Sequence, residues 1–498
     1  MQVWQRKITG SGMSPCNSPG HGSTTVPSRL AKVNALDRRW PGISRAALGI
    51  VLLLALLPAV AEGAGSPASS WRAGVARVKI TPEKTMWMTG YGSRTHPAEG
   101  TMLDLWVKAL ALEDPSGRKG VLLTADVCGV TRDITNRVAA ELSQRHQLPR
   151  ESVMVNVSHT HCSPFVEGFA DGLRVFNDED RKSFAAYRQQ LEAWMVQAAE
   201  TALANLVPAA LGWSVDSADF AVNRRKNPEN DVPALRAAGK LLGPVDHDVP
   251  VLAVRSAQGE LFGVVFAYAC HNTTLSIYQW HGDYAGSAQQ EIQRRHPGVT
   301  ALFVLGCGGN INPLPRRELP LVEKYGRELA DAVDRAVGRP MQPISGPFRS
   351  AFEEITLAFS ELPAREQLVA ATKARTEGER AWGTHLLSQL DHGGIPMSYP
   401  FPIQAWRLGG LSWVALGGET VVDYALRLKK EAGPNLWVFG YSNDVMAYIP
   451  SESILAEGGY EGKTSMIPHA KPSAWQPGLE GKIVSKAEDL LRQVRAGR

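Results

Sequence analysis

Cysteine is scarce in this sequence. The 498 residues include five cysteines, and Cys16 falls in the amino-terminal leader described below. The other four, Cys128, Cys162, Cys270 and Cys307, are too few for a disulfide scaffold of this size and show no C-x-x-C spacing. A disulfide-stabilised structural protein and a thiolate zinc site are therefore disfavoured. Buried thiols near the motifs below, or a disulfide bond involving Cys270 or Cys307, are both compatible with the sequence.

Most of the chain carries no excess of positive charge. The net charge is +4, but seven of the 53 Lys and Arg residues, and only one of the 49 acidic residues, lie within residues 1–61. The remainder carries 46 basic and 48 acidic residues. Nothing in this balance indicates electrostatic binding to nucleic acid. The 44% hydrophobic and 20% charged content is that of a globular protein.

The longest apolar run is too short to span a bilayer as a mature helix. It covers Ala46–Leu57 and follows a basic segment. Pro58 and the small-x-small sequence Ala59-Val60-Ala61 come next, which is typical of a cleaved secretory signal peptide. We therefore interpret residues 1–61 as a leader and expect a secreted, periplasmic or cell-envelope protein. A short membrane anchor is the alternative.

Strands and helices alternate after this leader. Residues 62–72 form a Gly/Ala/Ser linker, and residues 73–498 are expected to form one large catalytic domain of the α/β class. The alternation predicts a mixed β-sheet core flanked by helices. The strands that bear most on function are predicted at Ser152–Val157, Leu261–Ala269, Thr300–Leu305, Leu411–Leu416 and Asn435–Tyr441.

The most informative segment is V-M-V-N-V-S-H-T-H-C-S-P, residues 153–164. A β-prone run leads directly into His159 and His161. Because side chains two residues apart project from the same face of an extended backbone, the two imidazoles are expected to point together off a strand end. Open α/β sheets place their chemistry at such ends. Surface or core histidines are the alternative interpretation of this pair.

Other predicted strands end at residues of the same kind. His271 follows the strand at 261–269, the G-N-I-N-P loop follows the strand at 300–305, and Glu419 follows the strand at 411–416. The loop after the strand at 435–441 contains Asp444 and Tyr448. A lone Glu or His at a strand end is more often a hydrogen-bonded structural residue. Two histidines with one carboxylate, however, are the ligand set of many catalytic zinc hydrolases.

These motifs resemble the neutral/alkaline (non-lysosomal) ceramidase family, in family order from about Trp71 to Gly462. H-T-H-C-S-P is similar to its T-H-T-H-S-G-P, F-A-Y-A-C-H-N-T-T to its W-F-A-V-H-G-T-S, and L-G-G-E-T to its P-G-E-x-T. Asn223-Arg224 resembles its N-R-S-P element, and Y-S-N-D-V-M-A-Y-I its tyrosine loop. The resemblance implies the catalytic domain of a zinc amidase that cleaves the N-acyl bond of ceramide.

Carried over residue by residue, the resemblance implies a site with seven members. It implies that His161 acts in catalysis beside the metal and that Arg224 binds substrate or the transition state. Asn312 occupies the position of the family's active-site serine, so no hydroxyl is available there, and water is the expected nucleophile. Asn312 retains the ability to donate a hydrogen bond to an oxyanion. The zinc (Zn²⁺) ligands implied by the resemblance are His159, His271, Glu419 and Tyr448.

The sequence thus predicts a secreted zinc amidohydrolase with a lipid-like N-acyl substrate, for which peripheral membrane contact is compatible. Met86, Trp87, Met88 and Trp280 are expected to offer apolar lining. The family usually adds an immunoglobulin-like carboxyl-terminal domain, whereas the last element predicted here is a helix at Lys482–Arg495, so ceramide itself is left open as the substrate. The alternatives are a metallohydrolase of non-lipid amides or esters, marked by a polar pocket mouth, and a non-catalytic secreted binding protein.

Overall fold

The computed structural model describes residues 71–497, which fold in four layers. A large sheet and a small sheet pack face to face, and each sheet carries helices on its other face. The leader at 1–61 and residues 62–70 of the linker lie outside the described residues. Within residues 71–497, no helix is long and apolar enough to cross a membrane.

The strands of the described chain are β1 Arg72–Lys79, β2 Gly100–Thr101, β3 Trp106–Glu113, β4 Lys119–Ala125, β5 Val153–Val157, β6 Val207–Ser217, β7 Ala221–Asn223, β8 Asp248–Ser256, β9 Leu261–Tyr268, β10 Gln279–Trp280, β11 Thr300–Leu305, β12 Ile311–Pro313, β13 Gln342–Pro343, β14 Phe348–Ala358, β15 Ser398–Leu408, β16 Leu411–Leu416, β17 Glu419–Thr420, β18 Leu436–Phe439 and β19 Tyr448–Ile449. The α-helices are α1 Arg132–His146, α2 Asp178–Ala204, α3 Val232–Ala237, α4 Asp283–Arg295, α5 Leu319–Val337, α6 Arg365–Ala371, α7 Glu377–Asp391, α8 Val422–Ala432, α9 Glu452–Glu457, α10 Gly459–Gly462 and α11 Leu479–Ala496. Short 3-10 turns lie at Arg150–Ser152, Glu229–Asp231 and Thr464–Met466.

Both sheets are mixed. The large sheet has the order β11-β9-β8-β6-β1-β3-β4-β5, with β13 beside β6, and its β11–β9 and β4–β5 pairs are parallel. The small sheet has the order β14-β15-β16-β18, with β16 and β18 parallel. The predicted α/β class with a mixed sheet flanked by helices is confirmed. The second sheet was not predicted.

Side chains that alternate along the strands build the layers. On β3, Leu110 and Leu112 face the small sheet, whereas Ala109 and Ala111 face the helices. A period of two is what a strand buried on both faces requires. On the small sheet Trp413 faces the large sheet, among Trp406 and Trp437. Helices α1, α2, α4 and α5 cover the large sheet, and α8 and α11 cover the small one.

One buried amide ties three strand ends together. The Asn156 side chain, on β5, accepts a hydrogen bond from Leu305 N (2.8 Å) and donates to Leu305 O (3.3 Å) and Gly440 O (2.9 Å). Leu305 ends β11, and Gly440 follows β18. The carboxyl ends of strands from both sheets therefore meet at this point. The loops that follow them carry the residues singled out in the sequence.

Candidate metal centre

The four predicted ligands, although far apart in the chain, come together in the structure. His159 follows β5 and His271 follows β9, both in the large sheet. Glu419 and Tyr448 follow the small sheet and are direct neighbours in the parallel pair of β17 and β19. All four are almost fully buried, with 1–3% of their surface exposed. Which of them bind a metal remains a prediction, but their convergence is a property of the fold.

The polar atoms of three of these residues converge on one point. Glu419 Oε2 lies 3.2 Å from His159 Nε2 and 3.1 Å from His271 Nε2. The other ring nitrogen of each histidine faces a backbone carbonyl: His159 Nδ1 is 2.5 Å from Cys128 O, and His271 Nδ1 is 2.7 Å from Gly308 O. A carbonyl can only accept, so Nδ1 carries the hydrogen and Nε2 presents its lone pair.

This arrangement fits a divalent cation. Two imidazole lone pairs and a carboxylate oxygen cannot satisfy one another, and within residues 71–497 the buried Glu419 Oε2 has no hydrogen-bond partner. An atom of this kind calls for an unseen partner. Nitrogen and carboxylate ligands with Nδ1–H bonded to a carbonyl are the usual surroundings of catalytic zinc. The group His159, His271 and Glu419 therefore has the donor set and spacing of a metal site.

The pKa values of Glu419, His271 and His159 are shifted in different directions. Burial acts to raise the pKa of the Glu419 carboxyl, but the histidines around it hold that pKa well below its usual value, so the group is ionised. Burial and the charge of Arg224 lower the pKa of His271 to about 4. Against its burial, Cys128 and Glu419 raise the pKa of His159, so a proton competes with a cation for its Nε2.

Tyr448 is the fourth residue of the centre. Its hydroxyl lies 2.9 Å from His271 Nε2 and 3.2 Å from Arg224 Nη2. Burial and the Glu419 charge raise the pKa of this phenol. A phenol that touches both an imidazole lone pair and a guanidinium is placed to bind a cation or to donate a hydrogen bond. Sequence patterns alone do not point to Tyr448, because most tyrosines at such positions are half-buried aromatics.

His161 lies beside the cluster, on the side of His159. Its Nε2 is 3.2 Å from His159 Nε2, and its Nδ1 is buried without a partner. Burial, then the neighbouring His159 and His271, lower its pKa well below the usual value, so the ring is neutral. Gly90 makes room for it, since a Cβ at position 90 would lie 2.3 Å from His161 Cγ.

Arg224 spans the other side of the centre. It donates from Nε to Glu461 (2.8 Å), from Nη2 to Gly309 O (2.8 Å) and from Nη1 to Asn312 Oδ1 (3.2 Å). Asn312, which lies on β12, therefore holds the guanidinium in place. Asn312 has no hydroxyl, and no hydrogen bond joins it directly to the Glu419 cluster. Of the predicted catalytic residues, His161 and Arg224 contact His159 and Tyr448 directly, whereas Asn312 reaches the centre only through Arg224.

Three residues of the centre were not assigned to the site from the sequence. His469 Nε2 lies 3.1 Å from Glu419 Oε1, and Cys128 Sγ lies 3.6 Å from His159 Nδ1. Tyr460 packs edge-on against Tyr448, with ring centroids 5.2 Å apart. His469 stands in an irregular loop, and Cys128 follows β4 without any motif, so no local pattern points to either. All four cysteines of the described chain are buried and free, so the disulfide alternative for Cys270 and Cys307 does not occur.

A cavity of about 30 Å³ opens onto the centre. This is room for about two water molecules. Its apolar wall is formed by Phe169, Ala170 and Leu173. The expected apolar residues are placed elsewhere: Met86, Met88 and Trp280 are buried in the core, and Trp87 packs against it. The expectation that those four line the site was wrong, because the segment between β1 and β2 and strand β10 place these side chains in or against the core.

The fold and the centre define a class: a four-layer α/β protein with a two-histidine, one-carboxylate centre typical of metal-dependent hydrolases. Residues 71–307 match the family model described as neutral/alkaline non-lysosomal ceramidase, N-terminal. The resemblance inferred from the motifs is therefore confirmed over these residues.

Individual relatives agree with this match. The neutral ceramidase of Pseudomonas aeruginosa is 24% identical, over 90% of this chain and 77% of that protein. Neutral ceramidase 1 of Arabidopsis thaliana is 24% identical, over 56% of this chain and 37% of that protein. The crystal structure of the Pseudomonas aeruginosa neutral ceramidase superposes with a TM-score of 0.67 at 20% identity, over 86% of this chain and 75% of that one. A structure described as ceramidase complexed with C2 has the same TM-score at 19% identity. At these identities the structural likeness shows the fold.

Proposed function

We propose that this protein is a zinc-dependent amidohydrolase that cleaves the N-acyl bond of a ceramide-like substrate with water as the nucleophile. The observation that carries the proposal is the convergence of His159 Nε2, His271 Nε2 and Glu419 Oε2 within 3.2 Å contacts, with no hydrogen bond to satisfy the carboxylate oxygen. The ceramidase relatives support the choice of an amide substrate.

His159, His271, Glu419 and Tyr448 would hold the zinc ion. When bound, such an ion lowers the pKa of a water molecule to about 7 and polarises an amide carbonyl. The chain's own part begins with His161, which is neutral and therefore able to accept a proton from the attacking water. Once protonated, His161 is an imidazolium, and it then donates this proton to the leaving amine as a general acid.

Arg224 stabilises the negative charge that develops on the carbonyl oxygen. Its guanidinium is fixed by Glu461, Gly309 and Asn312, so it needs no reorganisation during the reaction. Its Nη2 lies 3.2 Å from the Tyr448 hydroxyl, beside the converging ligand atoms. Asn312 acts in this scheme as a positioning residue for Arg224.

Metal content and hydrolysis test the proposal together. Purified protein should contain about one zinc per chain, and His159→Ala should lose both zinc and hydrolysis of a short-chain ceramide because it removes one of the few protein ligands. His392→Ala, which removes an exposed imidazole at the end of α7, is the matched control and should retain both. Retention of metal and activity by His159→Ala would refute the site. A wild-type protein that neither binds zinc nor hydrolyses amides would instead favour the binding-protein alternative.

We also propose that the protein is exported. The support is the sequence of the leader, with its basic segment, the apolar run Ala46–Leu57 and the Ala59-Val60-Ala61 cleavage pattern. Expression of the full chain followed by amino-terminal sequencing of the exported protein should place the new terminus shortly after Ala61. Retention of the uncleaved chain in the membrane fraction would favour the anchor instead.

A further inference from the structure

A second cavity, of about 510 Å³, lies directly beside the metal centre. Arg224 and Asn312 line it, and Tyr460 lines both this cavity and the one at the centre. A substrate whose amide reaches the centre would therefore extend one of its substituents into this larger space. Its lining consists mainly of charged and amide side chains: Arg224, Arg225, Asn227, Glu229, Asn312, Arg316 and Glu461.

Both carboxylates of this lining are paired with arginines. The two oxygens of Glu461 accept from Arg224 Nε (2.8 Å) and Arg225 Nη1 (2.7 Å). Those of Glu229 accept from Arg316 Nε (3.0 Å) and Nη2 (2.8 Å). These ion pairs neutralise the two carboxylates, so neither offers an unpaired negative charge to a cationic substituent.

Hydrogen-bond donors, in contrast, remain unused. Within residues 71–497, Arg316 Nη1 and Asn312 Nδ2 have no protein acceptor, and Arg225 Nε is buried without one. Three arginines face two carboxylates on this wall, and Arg225 also pairs with Glu457 beyond it at 2.8 Å. The charge of Arg317 also reaches it: against burial, Arg316 and then Arg317 lower the pKa of Glu229. Unused donors and surplus positive charge complement an anion.

An alkyl chain fits this wall poorly. The Arg316 and Glu229 side chains are 14% and 39% exposed to solvent. An alkyl substituent would displace the solvent around them without replacing its hydrogen bonds. Such desolvation of charged groups is costly. A polar wall of this kind is also the marker that separates a hydrolase of polar amides from one that requires two long alkyl chains.

We propose that this cavity is a subsite for a negatively charged substituent, a carboxylate or a phosphate, on the amide that the centre cleaves. The inference rests on the proposed amidohydrolase function and names the substrate class: N-acyl amides with an anionic group on one side of the bond. Arg316 would provide the principal contact through its free Nη1. Arg225 and Asn312 would supply further donors.

Matched substrates test the subsite. N-hexanoylglycine, N-hexanoylphosphoethanolamine and the neutral N-hexanoylethanolamine place a carboxylate, a phosphate or a hydroxyl on the amine side. The butylamide of adipic acid and its neutral hexanoic counterpart test the acyl side. With zinc-loaded protein, kcat/KM of an anionic member should exceed that of its neutral partner by about tenfold or more, which is the effect of one good charged contact. The anionic substrate that is preferred over its neutral partner shows on which side of the amide bond the charge is bound, and whether a carboxylate or a phosphate is preferred.

Three variants separate the subsite from a general loss of stability. Arg316→Gln should bring the anionic-to-neutral ratio close to one, mainly through KM. Glu229→Gln, which releases Arg316 from its ion pair, should preserve or increase that ratio. Arg339→Gln removes an equivalent exposed guanidinium, paired with Asp216 away from this wall, and should leave the ratio unchanged. Equal or better hydrolysis of the neutral members by wild-type protein, or an undiminished ratio in Arg316→Gln, overturns the inference.

The two proposals can fail separately. If no amide is hydrolysed, the amidohydrolase proposal fails, and calorimetric binding of N-hexanoylglycine still tests the subsite. Tighter binding of this carboxylate than of N-hexanoylethanolamine, lost in Arg316→Gln, supports the subsite. Equal binding of the two compounds refutes it.

Discussion

Replacing His469 by alanine should weaken zinc binding without unfolding the protein. His469 Nε2 lies 3.1 Å from Glu419 Oε1, and both groups are buried. The opposite oxygen, Oε2, is the one that faces His159 and His271 at 3.2 and 3.1 Å. His469 therefore fixes the rotation of the carboxylate so that Oε2 points at the two imidazole lone pairs.

The magnitude follows from the type of bond that is lost. A hydrogen bond to a charged group contributes about 1.5–3 kcal/mol, which corresponds to roughly 10- to 100-fold in an equilibrium constant. Removal of a partner that orients a metal ligand typically weakens affinity by the same 10- to 100-fold range. The alanine variant also leaves a gap beside Phe169, whose ring centroid is 5.7 Å from that of His469. A small fall in melting temperature should accompany the loss of affinity.

A competition titration against a chromophoric zinc chelator measures the affinity directly. His469→Gln is the matched control, because an amide nitrogen can take the place of Nε2 and retain the bond to Glu419. We expect the glutamine variant to bind zinc more tightly than the alanine variant. Wild-type affinity in His469→Ala, or equal losses in both variants, would show that the contact does not orient the carboxylate.

Two further predictions concern the shape and the charge of the site. Gly90→Ala should abolish most hydrolysis while zinc stays bound, because the new Cβ would lie 2.3 Å from His161 Cγ and the φ of +93° disfavours a side chain. Gly100→Ala is the control, since a Cβ at that position would have no atom within 4 Å. Normal hydrolysis by Gly90→Ala would contradict the role given to His161. Burial raises the pKa of the Asp444 carboxyl from 3.8 to about 7, so the folded state binds this proton more tightly than the unfolded state. The free energy of unfolding should therefore fall as the pH rises from about 4 to 7, by a few kcal/mol. Asp444→Asn, which keeps an acceptor for the Tyr399 hydroxyl, should flatten this dependence in denaturation curves; an unchanged slope would disprove it.

The core strands could be predicted because a buried strand consists of a short, nearly continuous run of apolar residues. The predicted strands at 300–305 and 411–416 match β11 and β16 residue for residue. Two long strands, β6 and β14, were not predicted. On β14 most side chains are only half-buried, and Arg349, Glu353 and Glu354 interrupt its apolar pattern. Such a strand is specified by its pairing with β15 and not by its own composition.

The site divides in the same way. His159 and His161 could be predicted because a β-prone run leads directly into two histidines that are two residues apart. The strand-end positions of His271 and Glu419 could be predicted from the strands before them. His469 is placed by the irregular chain around Thr464–Met466, and its partner Glu419 is 50 residues away. The polar cavity beside the centre combines side chains from chain segments 87 to 237 residues apart. Contacts across such distances leave no periodic trace in the sequence, so only the fold reveals them.

The centre lies where the two sheets join, and the backbone there is strained. His159, Tyr441 and Asn443 adopt positive φ values of 56°, 50° and 63°, each of which costs an L-residue about 1–2 kcal/mol. Hydrogen bonds between the sheets offset this strain: Asn443 N donates to Val155 O (2.8 Å), and Val155 N donates to Asn443 Oδ1 (3.2 Å).

Two of the proposed ligands follow the large sheet and two follow the small one, so a bound ion would link the sheets across this junction. Binding free energy for an ion held in this way adds to the free energy of unfolding. A loss of metal should therefore loosen the junction, and with it the alignment of His161 and Arg224, before either sheet unfolds.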